Sequence, residues 1–182
     1  MRFTPAFYRA AAVLSVLSAL TTLLLIVLPH WYGPAPDLPA RMARVQDPAY
    51  TLRAWTYLLH PFLVTAAALA VAARLRHVAA SWVVPGCLAF VLWGVTEAVQ
   101  QALTLFAYDP WRIAWLAGDA GVRAAMHERD ALYSAVWNAL WTFLLLPFLL
   151  GNALYAVALV RQQGMSLAVG AFYASAALLT AL

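Results

Sequence analysis

The sequence predicts an all-α, polytopic integral membrane protein, a single transmembrane domain over residues 1–182 that folds as a five-helix bundle. Three observations predict this class. Of the 182 residues, 65% are hydrophobic and 10% are charged, whereas soluble domains are about 45–50% apolar and about 25% charged. The apolar residues form continuous runs close to the roughly 20 residues that a helix needs to cross a bilayer. Finally, these runs are too long for the strands of a membrane barrel, and open sheets are not tolerated in lipid.

Five apolar runs are expected to span the membrane. The first contains no charge and is longer than the roughly 7–15 residues of a signal-peptide core, so we expect it to stay in the mature protein. The third contains one charged residue, Glu97. The fourth is too long for a straight span, and we expect it to bend at Pro147 and to begin outside the membrane. The runs cover residues 10–28, 54–73, 81–107, 131–160 and 165–182.

Two long connections separate these runs. Residues 30–53 are rich in proline, which predicts turns and extended backbone rather than helix. In residues 108–130, Asp109 precedes a proline, a pairing that predicts a helix start. Gly118 and Gly121 predict a break before a second helical stretch that enters the fourth run.

The first helix of the second connection mixes tryptophans with polar residues. This composition is typical of a helix that lies in the headgroup layer of a membrane. The helix is either an interfacial anchor or a lid over a cavity. In the second case the possible lid or rim residues are Trp111 and Trp115 of this helix and His127 of the helical stretch that follows it.

The arginines predict the orientation. All 11 basic residues are arginine, and the absence of lysine together with many alanines indicates a GC-rich bacterial genome. Five arginines lie in short segments without acids, and six lie with six acids in the two long connections. By the positive-inside rule, we expect the N-terminus in the cytoplasm and residues 30–53 and 108–130 in the periplasm of a bacterial inner membrane. Arginines spread in this way form no basic face, so we expect no nucleic-acid partner.

The residue types exclude most catalytic and cofactor chemistries. Cys87 is the only cysteine, which excludes an internal disulfide, a redox pair and a thiolate metal site. His127 and Glu128 lack the second histidine of a zinc-protease helix, and no spacing shows that His60, Glu97 and His127 converge on a metal. Nucleophile-elbow and phosphate-binding glycine motifs are absent. We therefore expect no metal, no cofactor and no assigned catalytic residue.

The most informative feature is a polar stripe in the third run. An ionisable side chain in hydrocarbon costs a few kcal/mol or more, so Glu97 is a functional-site hypothesis by default. Helical spacing places Trp93, Gln100, Gln101 and Thr104 on the same face as Glu97. Because lipid does not tolerate such a stripe, we expect it to face other helices or water.

A second polar stripe follows the fourth run. Ser134, Asn138 and Thr142 recur at four-residue spacing, and Trp137 and Trp141 flank them. Such residues often hydrogen-bond across helices as packing contacts, each contributing about 0.6 kcal/mol. The stripe is therefore either helix packing or the wall of a polar site.

The polar residues of the second, third and fourth runs lie at similar predicted depths in the membrane. The second, third and fourth runs all reach the side of the long connections, and at about 1.5 Å per residue His60, Glu97, Gln101 and Asn138 lie about 9–15 Å from the outer ends. We expect these helices to enclose an outward-facing pocket, in which His60 pairs with Glu97 as part of a binding site or as a structural hydrogen bond. The predicted ligand-binding residues are His60, Glu97, Gln100, Gln101, Asn138, Thr142, Trp93, Trp137 and Trp141, with Trp55 as a further wall.

Three functions fit these residues. The first is a non-enzymatic membrane protein, transporter-like or sensory, that binds a small hydrophobic or lipid-like molecule in this polar and aromatic pocket. The second is a membrane-embedded enzyme that acts on a lipid or quinone, with Glu97 or His60 as general base. The third is a structural subunit of a membrane complex, in which the polar stripes contact a partner protein. In all three the lipid bilayer surrounds the chain.

Overall fold

A computed structural model describes residues 4–161 and 165–181, and within these ranges the chain is helical and contains no strand. The all-α prediction is therefore confirmed for this part of the chain. The 3₁₀ turns Leu28–His30 and Arg44–Gln46 follow the first two helices, and a π-helical turn, Thr104–Tyr108, joins the fourth to the fifth. The helices are α1 (Pro5–Val27), α2 (Leu38–Ala43), α3 (Pro48–Leu75), α4 (Ala80–Leu103), α5 (Asp109–Ala117), α6 (Ala120–Val160) and α7 (Met165–Ala181).

Four helical stretches in the described residues are long and apolar enough to cross a membrane, namely Pro5–His30, Pro48–Leu75, Ala80–Ala117 and Ala120–Val160. The stretch predicted as a fifth span is a shorter apolar helix, Ser166–Thr180, over the described part. Only 17% of the most apolar window of the first stretch is buried in the protein, so its side chains need an apolar environment. The predicted end of the fifth run, Leu182, lies outside the described residues.

The first long connection is more helical than the sequence predicts. The Asp37 carboxylate accepts a hydrogen bond from the Ala40 N–H at 2.8 Å, and this cap starts α2. The Asp47 carboxylate accepts one from the Ala49 N–H at 2.7 Å, and α3 begins at Pro48, six residues before the predicted residue 54. The expectation of turns and extended backbone is wrong here, because aspartate caps and prolines in first turns favour helix starts.

The second long connection also departs from its prediction. The Asp109 side chain makes no capping bond, because α4 runs into α5 through the π-helical turn without a break. The chain turns at Gly118, as predicted, where the backbone is extended. The Asp119 carboxylate then accepts a hydrogen bond from the Val122 N–H at 3.0 Å at the start of α6. Gly121 lies inside α6 and breaks nothing, since one helical glycine costs only about 1 kcal/mol.

The chain divides into two compact units. The first unit comprises Met1–Ser18, Pro61–Thr96 and Thr142–Leu182. The second unit comprises Ala19–His60 and Glu97–Trp141. A bend was expected at Pro147. Helix α6 continues through this proline, and the residues on both sides of it are helical.

Aromatic residues form the core of the first unit. The Phe90 ring lies 5.1 Å from the Tyr155 ring and 6.2 Å from the Phe148 ring, centroid to centroid. The Tyr155 hydroxyl donates to the main-chain oxygen of Ala68 at 2.7 Å, which connects α6 to α3. Trp93 packs in the same cluster, 5.1 Å from Phe148. The first unit is therefore held by a packed aromatic core.

Candidate functional site

A cavity of about 480 Å³ lies in the second unit, and all its lining residues belong to that unit. Its volume falls in the range of small-molecule sites, roughly 300–1,000 Å³. The lining comes from the 3₁₀ turn after α2 and from α3, α4, α5, α6 and the π-helical turn. The lining residues are Arg44, Tyr50, Arg53, Ala54, Tyr57, Glu97, Gln100, Gln101, Thr104, Arg112, Tyr133, Ser134, Trp137, Asn138 and Trp141.

The wall from α4 carries the predicted polar stripe. Glu97, Gln100, Gln101 and Thr104 follow one another at helical spacing, and each is between 1% and 6% exposed. The Thr104 hydroxyl donates to the main-chain oxygen of Gln100 at 3.1 Å and lies 2.7 Å from the Tyr133 hydroxyl. These four side chains are buried within the protein, where the stripe was expected to face other helices or water.

Two side chains on this wall keep hydrogen-bonding capacity. Gln100 donates from Nε2 to the main-chain oxygen of Trp137 at 3.1 Å, while its buried Oε1 has no partner within the described residues. Within residues 4–161 and 165–181, no hydrogen bond or ion pair reaches the Glu97 carboxyl group either. A buried polar atom without a partner costs about 1–3 kcal/mol. The Glu97 carboxyl group can therefore hydrogen-bond a molecule in the cavity, while the Gln100 Oε1 is a buried acceptor behind the same wall.

Arg53 is held in the cavity wall by neutral acceptors. Its guanidinium group donates to the Tyr32 hydroxyl at 2.9 Å, to the Tyr57 hydroxyl at 3.2 Å and to the main-chain oxygen of Leu25 at 3.4 Å. The group also lies over the Tyr57 ring, 4.7 Å from its centroid. These contacts fix the position of the charge without neutralising it.

Arg112 is the most buried arginine of the cavity, at 6% exposure. It forms an ion pair with Asp109 at 3.0 Å and donates a hydrogen bond to the Tyr50 hydroxyl. Its guanidinium group lies 4.3 Å from the centroid of the Tyr108 ring. Its Nε is buried and has no hydrogen-bond partner in the described part of the chain.

Arg44 completes a set of three arginines. It donates to the main-chain oxygen of Gly33 at 3.2 Å and lies over the Tyr32 ring, 5.4 Å from the centroid. Its buried Nε has no partner among the described residues. Across the same residues, neither Arg44 nor Arg53 forms an ion pair. The cavity is therefore lined by three guanidinium groups and one carboxyl group.

The wall from α6 is aromatic and more open. The Tyr133 and Trp137 rings lie 5.8 Å apart, and both line the cavity. Ser134, Asn138 and Trp141 also line it but are exposed, Trp141 at 45%. Because the α4 wall is buried and much of the α6 wall is exposed, the cavity opens beside α6.

Six of the nine predicted ligand-binding residues line this cavity, and three do not. The imidazole of His60 is buried, with Nδ1 2.8 Å from the Thr21 hydroxyl. No hydrogen bond or ion pair joins His60 to Glu97 in the described residues. Trp93 packs in the aromatic core of the first unit, and Thr142 also belongs to that unit. The six residues are Glu97, Gln100, Gln101, Asn138, Trp137 and Trp141.

The proposed lid or rim residues lie elsewhere in the second unit. The Trp111 ring lies 5.6 Å from the Arg129 guanidinium carbon, and the Trp115 ring lies 5.1 Å from that of Arg123. These contacts join α5 to the first turns of α6. His127 is exposed, and Trp55, the further wall residue, is 46% exposed and packs on Phe106. None of them is among the lining residues.

The arginines and tyrosines of the cavity are the residues that the sequence reasoning missed. Tyr50, Arg53 and Tyr57 lie at three- and four-residue spacing, which places them on one face of a helix. The spacing could be recognised only with α3 starting at Pro48, as it does in the structure, because the predicted helix began at residue 54. Arg112 and Tyr133 gave no comparable signal, because their meeting depends on the path of the chain between α5 and α6.

The cavity lining offers guanidinium groups, hydroxyls, amides, aromatic faces and one carboxyl group. Within the described residues, no group of three or more histidine, cysteine, aspartate or glutamate side chains is placed to hold a metal ion. Comparisons of the chain with protein-family models, with curated proteins and with solved structures find no match.

Proposed function

We propose that this chain is a multi-pass membrane protein with five spans that binds a small or lipid-like molecule in the cavity of its second unit. Its role would be that of a transporter-like or sensory component. One observation carries the proposal. Glu97, which is 6% exposed, lines a cavity of about 480 Å³, and its carboxyl oxygens have no hydrogen-bond partner within the described chain. Such atoms are usually satisfied in native proteins, by protein, water or ligand.

The cavity walls support an amphipathic ligand. Tyr57, Tyr133, Trp137 and Trp141 offer aromatic surface, while the α4 wall offers polar groups. Binding sites combine a largely apolar lining with a few polar groups that orient the ligand. The exposed α6 side provides a route of entry that needs no large rearrangement.

We also propose that the protein lies in a bacterial inner membrane, with residues 30–53 and 108–130 on the periplasmic side. The arginine distribution supports this orientation. Alkaline phosphatase is active only outside the cytoplasm, so fused after residue 40 it should be active, and fused after residue 76 it should be inactive. The reverse pattern would overturn the orientation but leave the cavity unaffected.

A second function has one observation in its favour. Ser134, Asn138 and Thr142 are exposed on α6, where a helix that faces only lipid would carry apolar side chains. A partner protein that covers this stripe would make the chain a structural subunit of a membrane complex. Of the two candidate bases of the enzyme alternative, Glu97 lines the cavity and His60 does not.

A cavity-filling variant tests the binding function whatever the charge of the ligand. The full chain is purified in mild detergent, and retained molecules are counted by native mass spectrometry. Ser134→Trp places an indole in the cavity from an exposed lining position, while Val136→Trp places one at a position 41% exposed on the same helix and away from the lining. We expect wild type and Val136→Trp to retain one molecule per chain and Ser134→Trp to lose most of it.

Two results would overturn the binding function. One is a wild-type protein that retains no molecule above the level of the detergent. The other is equal retention by Ser134→Trp and Val136→Trp. A protein that co-purifies in either case would favour the structural subunit.

A further inference from the structure

The cavity has more positive than negative groups in its lining. Arg44, Arg53 and Arg112 face one lining carboxyl group, that of Glu97. Asp109 pairs with Arg112, but no ion pair reaches the other two arginines within the described residues. Both of those side chains are partly buried. Charged groups removed from water are normally paired.

The contacts of these arginines hold them in place without neutralising them. The acceptors around Arg53 are two tyrosine hydroxyls and one main-chain oxygen. Among the described residues, Arg44 donates a hydrogen bond only to the main-chain oxygen of Gly33, so it keeps donors for another group. A set of fixed guanidinium groups, in which the planar fork of each matches two oxygens, favours a phosphate or carboxylate.

The geometry points to an anionic amphiphile with a phosphate headgroup as the ligand. The phosphate lies against Arg44, Arg53 and Arg112, and the apolar part lies against Trp137 and Trp141 toward the exposed side of α6. This inference rests on the proposed function, since it names the ligand class of the same cavity. Phosphate is favoured over carboxylate because Arg44 and Arg53, which form no ion pair with the described residues, already exceed what one carboxylate can bind in a bidentate manner.

Two sources can supply this chemistry. One is a phospholipid of the surrounding bilayer, whose phosphate and chains are already joined. The other is a soluble phosphorylated compound or free phosphate, which would use the arginines and leave the aromatic wall unused. The exposed aromatic wall at α6 favours the first source.

Lipid titration tests the inference. The delipidated full chain is titrated in detergent with phosphatidylglycerol, with phosphatidylcholine and with inorganic phosphate, and bound species are counted by native mass spectrometry. We expect one phosphatidylglycerol per chain, bound about tenfold more tightly than phosphatidylcholine because the choline cation faces the arginines. Inorganic phosphate that displaces the lipid at millimolar concentration would assign the site to phosphate itself.

Arginine variants locate the headgroup. Arg44→Gln removes a lining charge that has only one described hydrogen bond, so we expect it to fold and to weaken phosphatidylglycerol binding about tenfold. Arg44→Lys keeps the charge and should lose less. Arg129→Gln removes an exposed arginine outside the lining and should bind as wild type does. Equal binding by Arg44→Gln and Arg129→Gln would overturn the inference.

Failure of this inference is distinguishable from failure of the proposed function. If the cavity retains a neutral amphiphile that Ser134→Trp expels and Arg44→Gln does not affect, the cavity binds a ligand but the anionic class is wrong. If Ser134→Trp changes the retention of no lipid, both are wrong.

Discussion

Gln100 donates a hydrogen bond to the main-chain oxygen of Trp137 at 3.1 Å, and this bond joins α4 to α6 at the wall of the cavity. Gln100 is 1% exposed, so little water competes for the bond. The bond leaves the Oε1 of the amide without a partner in the described chain. One side chain thus holds two walls of the cavity together and retains an acceptor in a buried position.

Replacement of Gln100 by leucine should destabilise the second unit. The variant removes the donor to the Trp137 carbonyl, which destabilises, and the unpartnered Oε1, which offsets part of that loss. We therefore expect a net loss of less than about 1 kcal/mol. Gln101→Leu is the matched control, because Gln101 is also buried but makes no hydrogen bond to any described residue. Thermal unfolding in detergent measures both. Equal melting temperatures for the two variants would contradict this role of Gln100.

Asp130 should stabilise the contact between the two long connections, residues 30–53 and 108–130. Its carboxylate pairs with Arg41 of α2 at 3.0 Å and accepts a hydrogen bond from the Tyr108 hydroxyl. Asp130 is buried whereas the Arg41 side chain is 41% exposed, so solvent screens the ion pair and the buried tyrosine bond counts for more. We expect Asp130→Ala, which removes the acceptor of the Tyr108 hydroxyl, to cost about 1–3 kcal/mol and Arg41→Gln less than about 1 kcal/mol in chemical denaturation. A larger loss in Arg41→Gln would reverse this assignment.

Gly86 should not tolerate a side chain. A Cβ at this position would lie 2.7 Å from the Tyr155 ring, whose residue is fully buried in the core of the first unit. Alanine normally stabilises a helix relative to glycine by about 1 kcal/mol. A loss of stability in Gly86→Ala would therefore come from the clash and not from helix propensity. We expect Gly86→Ala to destabilise by about 1–3 kcal/mol because the core is overpacked. Gly33→Ala, where no atom lies within 4 Å of the new Cβ, should leave the melting temperature unchanged.

The parts of the fold that were predictable from sequence are those set by long apolar runs. The first run ends at residue 28 in the prediction, and α1 ends at Val27 in the structure. The start of α3 was not predictable from hydropathy, because the helix begins in polar sequence through the Asp47 cap. Hydropathy finds the part of a helix that lies in lipid, and local capping bonds determine where the helix begins.

Only part of the candidate site was predictable from the sequence. Glu97 and its polar neighbours were identifiable because polar residues in an apolar run must be shielded from lipid. Trp93 lies on the same helical face, yet it packs in the core of the first unit, since helical spacing defines a face and not which neighbour covers it. Arg53 was interpreted as a topology signal alone, although its hydroxyl partners place it in the cavity wall.

The variant Glu97→Gln distinguishes an anionic ligand from a cationic one. A carboxylate in the same cavity as a phosphate repels it, and in a low-dielectric site this repulsion amounts to about 1 kcal/mol or more. Glu97→Gln keeps the size and the capacity to hydrogen-bond but removes any charge, so we expect phosphatidylglycerol to bind at least as tightly as to wild type. Glu128→Gln, an exposed position outside the cavity lining, is the matched control and should change nothing. If Glu97→Gln instead weakens retention several-fold while Glu128→Gln does not, the carboxylate recognises a cationic or amine group, and the arginines serve the packing of the wall.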